Sequence, residues 1–199
     1  GWSMPTHIFT DEEKENLREQ MLEAGFPLLK QYGMTHTSVA KITQAAGIAV
    51  GTFYSFWKNK EAYMADLIGY HRRKLMPVLI GEDALTGKKK LGREDARRYL
   101  YAVIDEEISI YPHMTLEDEA KLFSGTKAFV PDLEKESAIT AGLLSYLEHV
   151  RADVNPGLVA NLCKVLIITV ESRAELHEAV YEETLRVQIE TILDLIFEA

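Results

Sequence analysis

Apolar residues recur every three or four positions along almost the whole chain, and no stretch sustains the two-residue alternation of a half-buried strand. Helix is therefore the regular structure these residues can form, and the expected fold class is all-α. At 199 residues, 47% of them hydrophobic, the chain can bury a core large enough for one large or two small domains, which excludes a disordered or fibrous chain. The longest apolar run, Val165-Leu166-Ile167-Ile168-Thr169-Val170, is far shorter than the roughly 18 to 20 residues of a membrane span, so no membrane partner is expected. Cys163 is the only cysteine and cannot form an intramolecular disulfide; with no charged and then apolar leader, the expected compartment is the cytoplasm.

Start and stop signals divide the chain into helices. Thr10 with Glu13 makes a capping box for a first helix to about residue 30, which Gly33 can end. Thr37 or Ser38 caps a short second helix that Gly47 stops. A third covers about 50–56, and a fourth starts at Asn59 and runs to about 76, where Pro77 disfavours continuation. Residues 81–92, with three glycines, read as a loop. Further helices are expected at about 93–110, 116–124, 131–150, 156–178 and 182–197.

The net charge of −9 argues against a nucleic-acid partner until its distribution is considered, since DNA binding depends on cations that neutralise phosphates. Residues 24–60 hold Lys30, Lys41, Lys58 and Lys60 and no Asp or Glu, whereas residues 61–199 hold 16 Lys/Arg against 25 acids. A locally positive unit joined to an acidic body fits a DNA module with a second domain attached. Within the positive unit, two short helices meet at Gly47, where a residue without Cβ lets the backbone reverse, and Ile42, Ala46, Ile48 and Phe53 supply a small core. The first turn of the second of these helices is small (Ala49, Val50, Gly51, Thr52), which allows close approach to base edges, and Tyr54, Lys58 and Lys60 stand where flanking phosphates lie.

This stretch resembles the DNA-binding domain of the tetracycline-repressor (TetR) family. The family's pattern appears as Gly33, Thr37-Ser38-Val39, Ile42-Thr43, Ala46-Gly47-Ile48-Ala49, Gly51-Thr52-Phe53-Tyr54, Phe56-Trp57 and Lys60-Glu61-Ala62. The resemblance implies an N-terminal three-helix helix-turn-helix domain over residues 10–70, with the helix-turn-helix at about 38–57. It also implies a helical-bundle effector-binding and dimerisation domain over residues 71–199. The DNA-binding residues it implies, with those read from the pattern itself, are Thr37, Ser38, Lys41, Val50, Gly51, Thr52, Tyr54, Ser55, Lys58 and Lys60. The sequence departs from the family at Phe56, where Tyr or His is usual, at Trp57, where Phe is usual, and at Ala40, where some members place a base-reading Arg.

Resemblance is weaker beyond residue 61. The segment 158–170 is apolar around most of its circumference, and Leu185, Ile189, Ile192 and Ile196 form a stripe; these helices either pair with a second protomer in a four-helix interface or complete one protomer's core. In a helix over 93–110, Glu107 falls in the buried arc of Leu100, Val103, Ile104 and Ile108. Its carboxylate then meets a cationic ligand, pairs with an internal Arg or reaches outward. Candidate ligand-binding residues are Tyr70, Val103, Ile104, Glu107, Tyr111, Phe123 and Tyr146.

No catalytic site assembles. There is no Glu-x-x-His, Gly-x-Ser-x-Gly or histidine cluster at metal spacing. Five residues, not four, separate Gly81 from Gly87, and Lys89 stands where a phosphate loop needs Ser or Thr. The expected protein is not an enzyme and needs no cofactor or metal. It is a homodimeric transcriptional regulator, a repressor released from a near-palindromic double-stranded operator by a small-molecule effector. The alternative is a helical partner-binding protein whose helix-turn-helix no longer binds DNA.

Overall fold

The computed structural model describes residues 8–123 and 133–199, apart from a few side chains beside that gap. They form two compact units, the first ending at Tyr70 and the second beginning at His71. The first contains α1 (Asp11–His36), α2 (Val39–Ala46), α3 (Val50–Phe56) and the start of α4 (Lys60–Ile80). The second contains the rest of α4, then α5 (Glu82–Leu85), α6 (Arg93–Ile104), α7 (Leu116–Phe123), α8 (Leu133–Leu144), α9 (Pro156–Glu171) and α10 (Tyr181–Ile196). Among the described residues, β structure is limited to two isolated bridges.

Local chemistry sets the helix ends in the first unit. Thr10 and Glu13 close the capping box on α1, Ser38 caps α2 by accepting from the Lys41 amide, and Gly47 ends α2 in the left-handed region at φ 68°. Gly33, at φ 70° and ψ 172°, interrupts the helical path of α1 before its last residues. The core comprises Met21, Leu22 and Leu29 of α1, Ile42 of α2, Phe53 of α3 and Tyr63, Met64 and Leu67 of α4. At Gly25 the two long helices come so close that an added Cβ would lie 2.4 Å from Tyr63 Oη and 2.6 Å from Leu67 Cδ2.

The second unit departs from the sequence expectations at several helix ends. Helix α4 runs through Pro77 to Ile80 and ends at Gly81, φ 78°. Residues 82–85 make a single helical turn inside the expected loop. Helix α6 stops at Ile104, not 110, because Asp105 diverts the backbone: its carboxylate accepts from the Glu107 amide (2.7 Å) and its carbonyl from the Ser109 amide (2.8 Å). Helix α8 ends at Leu144, not 150; the following segment instead bonds to Leu91, Ile196 and Glu198 through backbone groups. Helix α9 ends at Glu171, and two 3₁₀ turns fill the rest of the span to α10.

The core of this unit gathers Leu100, Leu144, Val159, Leu166 and Val170 around Leu185, Ile189, Ile192 and Ile196. The stripe on α10 therefore completes its own protomer's core. Arg97 clamps α10 to α6 through two bonds to Glu190 (2.7 and 3.1 Å), and Arg93 reaches Glu190 and Asp194.

Two predictions follow from this packing. Gly25→Ala should stabilise an ordinary helix interior by up to about 1 kcal/mol; here overpacking against Tyr63 and Leu67 should reverse the sign and cost about 1–3 kcal/mol in denaturant melts. Glu190 is held below the usual carboxylate range by its hydrogen bonds to Arg97 and Arg93. It therefore contributes stability above its unfolded value of about 4.3 and loses that contribution as pH falls through the lower folded one. Thermal melts of Glu190→Gln should show lower stability at neutral pH and a shallower loss on acidification than the parent.

Candidate nucleic-acid interface

Helix α3 is seven residues long and is oriented by what it buries. Phe53 is fully buried, its ring 5.2 Å from that of Trp57 and 5.5 Å from that of Tyr63. With Phe53 and Trp57 inward, helical geometry turns the opposite strip outward. Val50, Gly51, Tyr54, Ser55 and Lys58 are all exposed, Thr52 is half-buried, and no carboxylate occurs anywhere from residue 24 to 60. Ser55 donates only a long 3.4 Å bond to the Gly51 carbonyl, and Lys58 has no ion pair among the described residues. Short side chains near the start of the strip give a groove edge close access to the backbone, and the cation and phenol at its other end suit phosphates.

The remaining predicted contact residues are occupied differently. Thr37 is buried with its hydroxyl donating to the Gly33 carbonyl at 2.6 Å, so it locks the turn after α1 and is not an outward contact. Ser38 uses its hydroxyl as the cap of α2. Lys41 Nζ donates to the His36 carbonyl (2.7 Å) and lies 4.2 Å from the Tyr32 ring centroid. Lys60 Nζ donates to the carbonyls of Met34 (2.9 Å) and Thr35 (3.3 Å). Both ammonium groups thus sit at the carbonyl end of α1, where a cation is favoured.

Sequence reasoning missed Asp66. Its Oδ2 accepts from Arg18 Nη2 of α1 at 2.6 Å and from the Trp57 indole N–H at 3.0 Å, immediately after α3. The available signal was Trp57 itself, since a buried indole N–H needs an acceptor. Tyr63, also fully buried, donates to the Met21 carbonyl at 2.6 Å; burial, reinforced by the charge of Asp66, pushes its phenol well above the usual range. An open groove between α1 and α2 is lined by Glu19 and Glu23 and repels phosphate.

The candidate ligand residues do not come together as expected. Glu107 lies on the exposed turn after α6, not in a buried arc. Tyr70 is buried in the first unit and donates to Glu23 Oε1. Val103, Ile104, Tyr111 and Tyr146 are half-buried in the second unit, where Arg72 reaches the Tyr111 hydroxyl at 3.4 Å. The side chain of Phe123 lies outside the described residues. Burial pushes the Cys163 thiol up to about 11, which disfavours the thiolate at neutral pH.

No curated protein matches the sequence significantly. Residues 21–66 match the family model described as bacterial regulatory proteins, tetR family. Among solved structures, the chain is similar to a TetR-family transcriptional regulator from Pectobacterium atrosepticum (19% identity, 92% of this chain and 94% of that one, TM-score 0.58). It is also similar to the regulatory protein TetR from Rhodobacter sphaeroides (18%, 90% and 98%, TM-score 0.55). A third, from Rhodococcus sp. and described as a putative TetR-family regulator, shares 14% identity over 90% of this chain and 100% of that one, with a TM-score of 0.57. These likenesses extend the fold over the second unit, and no helix among the described residues is long and apolar enough to cross a membrane. Residues 21–66 thus carry the helix-turn-helix of the bacterial tetR regulatory proteins, and the helical bundle that follows has the fold of the TetR-family structures it resembles.

Proposed function

We propose that the protein is a dimeric repressor that seats α3 of each protomer in the major groove of a near-palindromic operator and leaves it on binding a small, largely apolar effector. The observation that carries this reading is the outward strip of α3, a row of exposed small and polar residues leading to Tyr54 and Lys58, with Phe53 turned inward. Two recognition helices in one dimer address half-sites about one DNA turn, roughly 34 to 36 Å, apart. On this reading Val50, Gly51 and Ser55 face base edges, Tyr54, Thr52 and Lys58 face phosphates, and Lys41 and Lys60 act chiefly by holding the end of α1. We assign DNA binding to residues 10–70 and effector binding and dimerisation to residues 71–199, acting in the cytoplasm.

Dimerisation has a candidate surface that differs from the α10 core stripe. Leu158, Val165 and Ile168 on α9, and Val187 on α10, are 38–51% exposed. The α9 residues follow helical spacing on one face, and Val187 lies on the α10 face of Thr184 and Thr191. Two such helix pairs can bury these faces against each other as a four-helix interface. For the effector, the half-buried Val103, Ile104, Tyr111 and Tyr146 favour an apolar or aromatic molecule, and the exposed position of Glu107 removes the reason to expect a cation. Helix α4 contributes residues to both units and is the covalent route for coupling. Linkage requires that operator DNA weaken effector binding by the same factor by which the effector weakens DNA binding, a coupling of about 1–3 kcal/mol in typical cases.

Two measurements test the reading. Lys58→Ala should weaken binding to all duplexes alike and lower the salt slope of log K by about 2 per dimer, one contact per protomer; an unchanged slope removes Lys58 from the phosphate contacts. Val187→Glu should give a folded monomer in sedimentation, whereas Ile192→Glu, which charges the protomer core, should lose helicity. A Val187→Glu protein that stays dimeric excludes the α9–α10 face.

A further inference from the structure

We propose that Asp66 is the positioning residue of the DNA-reading surface: through the Trp57 indole it fixes the orientation of α3, and so sets discrimination between sequences more than charge-driven affinity. The inference rests on the reading that α3 enters the groove, and it concerns what holds the helix at the required angle.

Two turns of helix have little stability of their own, so the orientation of α3 is set by its contacts with the rest of the unit. Phe53 anchors it by apolar contact, which is non-directional and permits rotation about the ring. Trp57, the residue that ends α3, adds direction. It is 5% exposed, its ring meets Tyr63 edge-on at 5.0 Å and 88°, and its single donor points to Asp66 Oδ2 at 3.0 Å. The same oxygen also accepts from Arg18 of α1 at 2.6 Å, which ties the acceptor to α1 and resists its following Trp57 if α3 turns. An ionised acceptor makes this bond stronger than one between neutral groups, and Arg18 offsets the negative charge that would otherwise repel phosphate. A phenylalanine at position 57, as is usual in the family, would keep the packing and lose the bond.

The lever arm explains why discrimination should be affected first. Seven residues of helix span about 10 Å, so a tilt of about 10° at the Trp57 end displaces Val50 and Gly51 by about 2 Å. Contacts to base edges do not survive such a shift, whereas attraction between cations and a phosphate backbone hardly changes.

The test uses the full-length chain and an operator duplex selected by it from random-sequence DNA, compared with a scrambled duplex of equal length across a salt series. Asp66→Ala and Trp57→Phe should each lower the selected-to-scrambled affinity ratio by about tenfold or more, with the scrambled affinity and salt slope unchanged in Trp57→Phe and the scrambled affinity not lowered in Asp66→Ala, which leaves Arg18 without its carboxylate. The double variant should be no worse than Asp66→Ala alone, because both remove one interaction. Arg18→Met, which keeps the Trp57 bond but frees its acceptor and leaves the Asp66 charge without its offset, should lower the melting temperature, lower the affinity for both duplexes and reduce the ratio by less than Asp66→Ala does. Without DNA, the Trp57 indole N–H resonance should move upfield and exchange faster in Asp66→Ala. Selected and scrambled affinities falling together in Asp66→Ala or Trp57→Phe, multiplicative losses in the double variant, or an unmoved indole resonance would each overturn the positioning role. If the parent enriches no duplex, the groove reading fails and the inference with it, while the resonance still reports whether the bond exists.

Discussion

Tyr63 is the contact on which the first unit depends. Its ring is fully buried against Phe53 and Trp57, so it supports the recognition helix, and its hydroxyl donates to the Met21 carbonyl, so it ties α4 to α1. The phenol stays protonated because burial opposes the charged form and Asp66 opposes it further. Such a ring fits only because position 25 carries no side chain. Three helices therefore meet at one residue, and a change in its position must be felt by α3 as well as by α4.

What could be read from the sequence was what short-range chemistry decides. Capping by Thr10, Ser38 and Asn59, and the left-handed stop at Gly47, depend on groups within four residues, and they set the boundaries of the helix-turn-helix as read. The errors arose where a local competitor or a distant partner decides. A helical wheel carried past residue 104 placed Glu107 on a buried face, but Asp105 bonds to its own following backbone and ends the helix first. Thr37 belongs to the motif of a DNA-binding segment, yet its hydroxyl serves the carbonyl that the turn at Gly33 presents. Asp66 gave no signal by itself, because its partners are 9 and 48 residues away.

The second unit shows a different limit. Helix α10 has one apolar stripe, Leu185, Ile189, Ile192 and Ile196, and spacing alone does not say whether it meets the protomer's own core or a second protomer. Burial resolves it: Leu185, Ile189, Ile192 and Ile196 pack into the protomer's core while Val187 stays half-exposed, and the Arg97–Glu190 pair ties the flank of α10 to α6. A half-exposed ion pair of this kind adds little stability by itself, so the apolar stripe sets the rotation and the pair follows it.

The division of labour among the cations bears on how such a protein tells one DNA sequence from another. Of the lysines at positions 41, 58 and 60, two place their ammonium groups on carbonyls at the end of α1, and Lys58 remains outward. On the groove-binding reading, a recognition segment with one of these three lysines outward, in a chain of net charge −9, draws less of its affinity from phosphates than its motif suggests. Its outward strip is also poor in side chains that can form paired hydrogen bonds with bases: Val50, Gly51 and Ser55 offer small volume and one hydroxyl. On the groove-binding reading, recognition must then come from close approach of the backbone and from the fit of small apolar surfaces, both of which vary steeply with distance. A surface of that kind gains more from rigid placement than one reading bases through long, adaptable arginines, and the contacts of Tyr63, Trp57 and Asp66 supply that placement from within the domain.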